Sequence, residues 1–121
     1  MDPTVTDDTW QSLVVESPLP VMVDFWAPWC PPCRMQGPIF EEFAAAHAGK
    51  IRCLKLNTDE ETATAGRLGI RNIPAIFFFS AGEEVAREVI RPRLWIAFGL
   101  SSITTVAGAH YRLLPGFREV R

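Results

Sequence analysis

An α/β fold, with a mixed central β-sheet flanked by α-helices, is predicted by three features of this 121-residue sequence. The run Val21-Met22-Val23-Asp24-Phe25-Trp26 is apolar with β-branched and aromatic members, as in a buried strand, and the apolar residues after it (Met35, Ile39, Phe40, Phe43, Ala44) recur at helical spacing. A second strand at 51–57 then lies parallel to the first, because the helix between them is a crossover. After a further helix at 59–68, two strands joined by Ala81-Gly82 read as an antiparallel hairpin, which makes the sheet mixed.

Each element has its own warrant. Thr6, Asp7 and Asp8 are N-cap candidates for a short helix carrying Trp10, Leu13 and Val14, which Pro18 and Pro20 end. That helix is expected as a lid over the sheet edge. The strand at 21–26 hands over to a helix from about 32 to 48. Pro38 inside it removes a backbone donor and crowds the preceding turn, so a kink is expected, with Gly49 as C-terminal cap. Gly69 closes the helix at 59–68, residues 75–80 form an unbroken apolar strand, and the last strand spans about 84 to 89. No repeat or linker divides the chain, and its length is enough for one domain that buries roughly two thirds of the surface its unfolded form exposes.

Lysine and arginine number 12 against 14 acidic residues. This near balance excludes the strongly basic footprint of a nucleic-acid protein. The chain opens Met1-Asp2-Pro3-Thr4, unlike a signal peptide, so a cytoplasmic protein is expected. Three cysteines in a reducing compartment point to catalysis, metal binding or burial and away from a disulfide framework.

Two of those cysteines, in Trp29-Cys30-Pro31-Pro32-Cys33, fall where the first strand hands over to the helix. The first helical turn has unpaired N–H groups and partial positive charge, which favour a thiolate, so Cys30 is expected to be the more reactive. Loop-closure entropy for so short a ring is only about 2 kcal/mol, a weak reason for a structural staple. A redox switch is the better reading. Half of a zinc site is the alternative, but Cys53, His47 and His110 are not paired at ligand spacing, so no metal is expected. Cys53, inside the second strand, reads as a buried unreactive thiol, and His47 as a partner of the helix C-terminus. Asp24 lies within an apolar strand, where burial should raise its pKa. Trp26 reads as core packing beside the cysteines, and Trp29 as partly exposed towards substrate.

The segments Val23-Asp24-Phe25-Trp26-Ala27-Pro28-Trp29-Cys30, Pro32-Cys33-Arg34-Met35, Gly69-Ile70-Arg71-Asn72-Ile73-Pro74 and Gly82-Glu83 resemble thioredoxins in order and spacing, over about residues 5 to 89. The resemblance implies a thioredoxin-like fold and a protein-disulfide reductase in which Cys30 attacks and Cys33 resolves. It also implies that Asp24 moves a proton to and from Cys33 and that Lys55 tunes Asp24. Pro74 should be cis beside the disulfide, with the backbone of Ile73 pairing with an extended substrate. Trp29, Pro31, Pro32, Ile73, Pro74 and Ile90 are the implied substrate surface. Disulfide-containing proteins and an NADPH-dependent thioredoxin reductase are the implied partners. No bound cofactor, no membrane attachment and a monomer are expected. A non-catalytic peptide-binding module on the same fold is the competing function.

Two departures stand out. Pro31 replaces the glycine usual in thioredoxins, and Ile90 stands where a glycine should line the groove. Residues 1–90 are therefore expected to form the thioredoxin-like domain, with 91–121 an atypical C-terminal segment completing or extending it. Residues 94–109 carry no charge, and their apolar positions go round a helix axis. An apolar final helix, a short membrane-associating stretch and an altered C-terminus, as from a shifted reading frame, all fit that pattern.

Overall fold

The computed structural model describes residues 3–88 and 118–119. Strands β1 (Val21–Trp26), β2 (Arg52–Asn57), β3 (Ala75–Ser80), β4 (Glu83–Glu88) and β5 (Arg118–Glu119) form one sheet in the order β2-β1-β3-β4-β5. β2 runs parallel to β1, and the other pairings are antiparallel. The parallel pair is joined by helix α1 (Pro31–Ala46), and helix α2 (Thr62–Arg67) connects β2 to β3. This is the mixed, helix-flanked sheet that the sequence predicts.

Strand alternation divides the core between two faces. Val21, Val23 and Phe25 of β1, Leu54 and Leu56 of β2, and Phe77 and Phe79 of β3 build one buried cluster. The opposite face presents Met22, Ile76 and Phe78 to Phe40 and Phe43 of α1, and Asp24 belongs to it by the same alternation.

The segment at Gln11–Val15 is a π-helical turn that packs on a face of the sheet, and the Leu13 carbonyl accepts from Arg52 of the edge strand β2 (2.9 Å). Trp10 and Val14 pack into the first cluster, with Trp10 edge-on to Phe79 at 5.2 Å between ring centroids. Two apolar side chains four apart need a face to bury against, and the β1 residues Val21, Val23 and Phe25 supply one. The edge is covered by residues 3–5: the Val5 N–H donates to the Lys55 carbonyl (2.9 Å), and the Lys55 N–H donates to the Pro3 carbonyl (2.8 Å). These bonds satisfy groups that an open edge would leave unpaired.

The bounds of both helices differ from expectation. α2 starts at Thr62, because Asn57 holds the chain before it in a turn: its side-chain oxygen accepts from the Asp59 N–H and its carbonyl from those of Glu60 and Glu61. α1 continues through Pro38, which sits on its exposed side, and ends at a His47 cap, with Gly49 following at a φ of 82°. In the β3–β4 turn both Ala81 (φ 52°) and Gly82 (φ 82°) are left-handed, the twist that two-residue hairpins favour. Residue 89, Ile90, His110 and the three accounts of 91–121 lie outside the described residues, apart from Arg118–Glu119, whose backbone pairs with Ala86 and Arg87.

Candidate active site

The C-terminal end of β1 and the start of α1 place the two cysteines. Cys30 is the N-cap of α1, with an extended backbone (φ −94°, ψ 105°), and its sulfur accepts from the Cys33 N–H at 3.3 Å. That non-helical first residue brings the Cα atoms to 5.3 Å, and Cys30 and Cys33 are joined as a disulfide. Pro31 and Pro32 occupy the first two helical positions, where a missing N–H breaks no helical bond. The same two prolines have no donor to offer the Cys30 sulfur.

Around the buried disulfide the predicted residues separate by exposure. Cys30 and Cys33 are each 3% exposed, packed with Ala27 and flanked by half-buried Trp26 and Ile73. The Ile73–Pro74 bond is cis, and Pro74 is buried. Trp29 is 68% exposed, its indole N–H donating to Asp59 (3.2 Å), and Pro31, Pro32 and Met35 are exposed with it. The ring is thus bordered by an apolar surface open to a partner. Ile90 lies outside the described residues and is not placed at this surface.

Asp24 is fully buried on β1, in register with Lys55 of β2 and Ile76 of β3. Burial pushes its carboxyl up to about 7, against the opposing pull of the Lys55 charge and a hydrogen bond from Gln36. The Lys55 ammonium also lies 5.1 Å from the centroid of the Trp26 ring. Cys53 is half-buried, and burial pushes its thiol up to about 12. The His47 ring bonds the Phe43 carbonyl through Nδ1 (3.0 Å) and stacks on the Phe43 ring, which ties it to the last turn of α1.

Gln36 is the residue that sequence reasoning missed. Its amide Nε2 donates to Asp24 Oδ1 at 3.1 Å, and the side chain is fully buried. The apolar helical spacing in the sequence starts at Met35, which is 67% exposed; the inward stripe is Cys33, Gln36, Gly37, Phe40 and Phe43. A signal was available: Gln36 is three residues after Cys33 and four before Phe40, so a helix facing inward at those two faces inward at Gln36 too.

A thioredoxin family model matches residues 2–93. The chain is 58% identical over 79 residues to the M-type chloroplastic thioredoxin of Pisum sativum, covering 65% of this chain and 46% of that protein. It is 50% identical over 80 residues to the M-type chloroplastic thioredoxin of Chlamydomonas reinhardtii (66% and 57%), and 49% over 81 residues to thioredoxin 1 of a Nostoc species (67% and 76%). The chain thus spans about half the length of the plant and algal relatives it matches. The chloroplastic names overturn the cytoplasmic expectation. Reduced thiols and balanced charge read the same in any reducing compartment, so composition could not separate the two. Because the family model covers residues 2–93, about three quarters of the chain and a range that holds Asp24, Cys30, Cys33 and Pro74, the chain belongs to the thioredoxin family.

Proposed function

We propose that the chain is a thiol-disulfide oxidoreductase that reduces protein disulfides through Cys30 and Cys33. The observation that carries this reading is the disulfide itself, seated at the first turn of α1, the helix whose Gln36 bonds the fully buried Asp24. In the reduced protein, the Cys30 thiolate attacks a substrate disulfide. A Cys30–substrate bond forms, the substrate S–S bond breaks, and the electron pair leaves on the second substrate sulfur, which takes a proton from solvent. Asp24 as carboxylate then accepts the Cys33 proton, and the Cys33 thiolate attacks the Cys30 sulfur. The Cys30–Cys33 bond closes, the mixed disulfide breaks, and the first substrate sulfur leaves and is protonated. Two electrons pass to the substrate, and the protein ends as the disulfide seen here.

Substrate segments dock against exposed Trp29, Pro31 and Pro32 and pair with the backbone at Ile73, beside cis Pro74. A partner reductase, fed by NADPH in the reading the family resemblance implies, returns the two electrons. A plastid location is proposed on the names of the relatives; immunodetection in fractionated cells tests it, and a signal confined to the cytosol overturns it.

Cys33→Ser should trap substrate proteins as a mixed disulfide on Cys30, and Cys30→Ser should trap none. Insulin reduction driven by dithiothreitol should require Cys30. Retained turnover in Cys30→Ser sinks the assignment, and peptide binding by the intact chain without any turnover would favour the non-catalytic module.

A further inference from the structure

Gln36 and Asp24 form a closed pair between α1 and the sheet. Both side chains are fully buried, and Gln36 Nε2 donates to Asp24 Oδ1 at 3.1 Å. Asp24 Oδ2 and Gln36 Oε1 are buried with no hydrogen-bond partner among the described residues. Among the described residues, Lys55 is the charged group that acts on Asp24. β3 contributes Ile76, α1 contributes Gln36 and Gly37, and Lys55 on β2 is the one charged group in register with the acid. The Gly37 position lies next to that ammonium: a Cβ there would come within 3.8 Å of Lys55 Nζ.

We propose that Gln36 is a positioning residue for the Asp24 proton step: its amide holds Oδ1 of the carboxylate and leaves Oδ2 as the oxygen that takes the proton. The inference rests on the reading of Asp24 as the acceptor of the Cys33 proton. A buried carboxylate with no donor is costly, and a donor bonded to one oxygen favours the charged form and makes that oxygen the less basic of the two. Lys55 supplies charge from one side without filling the role, since the amide is the group in hydrogen-bond contact. Gln36 also stands three residues after Cys33 on the inward stripe of α1, so the helix that carries the resolving thiol carries the group that orients its base.

The test compares wild type with Gln36→Leu, and with Gln36→Met as a second apolar side chain of similar length. The carboxyl of Asp24 is followed by carbon NMR in the reduced protein, its signal assigned by its loss in Asp24→Asn. Loss of the donor should raise the midpoint by about one pH unit, the effect of one hydrogen bond to a charged group. An acid with its midpoint at pH 7 is half ionised there, and one at pH 8 is about one-tenth ionised. Release of a fluorescent peptide from the mixed disulfide at pH 7 should therefore slow about fivefold, recovering as pH rises above about 9, while the first step, formation of the mixed disulfide, is unchanged. In the Asp24→Asn background the Gln36 substitutions should not move the profile further. An Asp24 midpoint and a release profile that stay at the wild-type pH in both variants overturn the proposal. Release that is as fast in Asp24→Asn as in wild type sinks the proton-acceptor reading instead, and the NMR midpoint then still reports whether Gln36 holds the carboxylate.

Discussion

Pro31 and Pro32 remove two backbone donors from the first turn of α1, and the Cys33 N–H is the one that reaches the Cys30 sulfur, at 3.3 Å. A thiolate gains most from such donors, because bonds to a charged acceptor are stronger than neutral ones. Pro31→Gly restores an N–H beside the sulfur, and it should lower the Cys30 pKa and make the protein more oxidising. A thiolate-absorbance titration with glutathione equilibration checks both. An unchanged or higher pKa, together with a more negative potential, would show that the stiffness of the two prolines governs the pair. Cys53 contrasts with this chemistry: burial pushes its thiol up to about 12, so brief alkylation of the reduced protein at neutral pH should modify Cys30 and spare Cys53. Mass spectrometry of the labelled peptides reads the outcome, and prior labelling of Cys53 would contradict it.

At the scale of elements, side chains from distant parts of the sequence fix several ends. Asp7, which reads from the sequence as a cap for the segment that follows it, instead caps α2: its carboxylate accepts from the N–H groups of Thr64 (2.8 Å) and Ala63 (3.3 Å), while its own N–H donates to Glu61. Those bonds hold its carboxyl below the usual range. No local pattern contains a contact between residues more than fifty apart, which is why this cap was not legible. The β3–β4 turn was legible in place but not in strain. Ala81 adopts a φ of 52°, a conformation that costs a residue with a Cβ about 1 kcal/mol, so Ala81→Gly should stabilise the hairpin by roughly that amount, less the added freedom of glycine in the unfolded chain. Gly82→Ala should do the opposite, because φ is 82° and the new Cβ would meet the Val15 carbonyl at 3.1 Å. Thermal unfolding of the two variants reads opposite shifts, and a common sign would contradict the turn geometry.

Across the whole molecule, what the sequence displayed was local pattern. Unbroken apolar runs at 21–26 and 75–80 gave the strands, the crossover gave the parallel pair, and the two cysteines marked the site. What it hid was partnership across the sheet: residues 3–5 covering the β2 edge, Trp10 on a face, and Gln36 against Asp24. The burial of Asp24 has a global consequence. Asp24 titrates near 7 when folded and near its ordinary value of 3.8 when unfolded, so between those values the native state keeps a proton that the unfolded state releases. The stabilisation from neutral, buried Asp24 is therefore complete below about pH 4 and is lost as pH rises through about 7. A gap of about three pH units corresponds to about 4 kcal/mol. Asp24→Asn keeps an oxygen for the Gln36 amide and never ionises. The variant should match wild type near pH 4 and exceed it by a few kcal/mol at pH 8, most of the gain appearing between pH 5 and 7. Groups such as Asp7 that titrate in the opposite sense cancel in the difference between the two proteins. Denaturant unfolding of both oxidised proteins from pH 4 to 8 gives that difference directly, and a difference independent of pH would mean that Asp24 has the same pKa folded and unfolded, so that burial does not raise it.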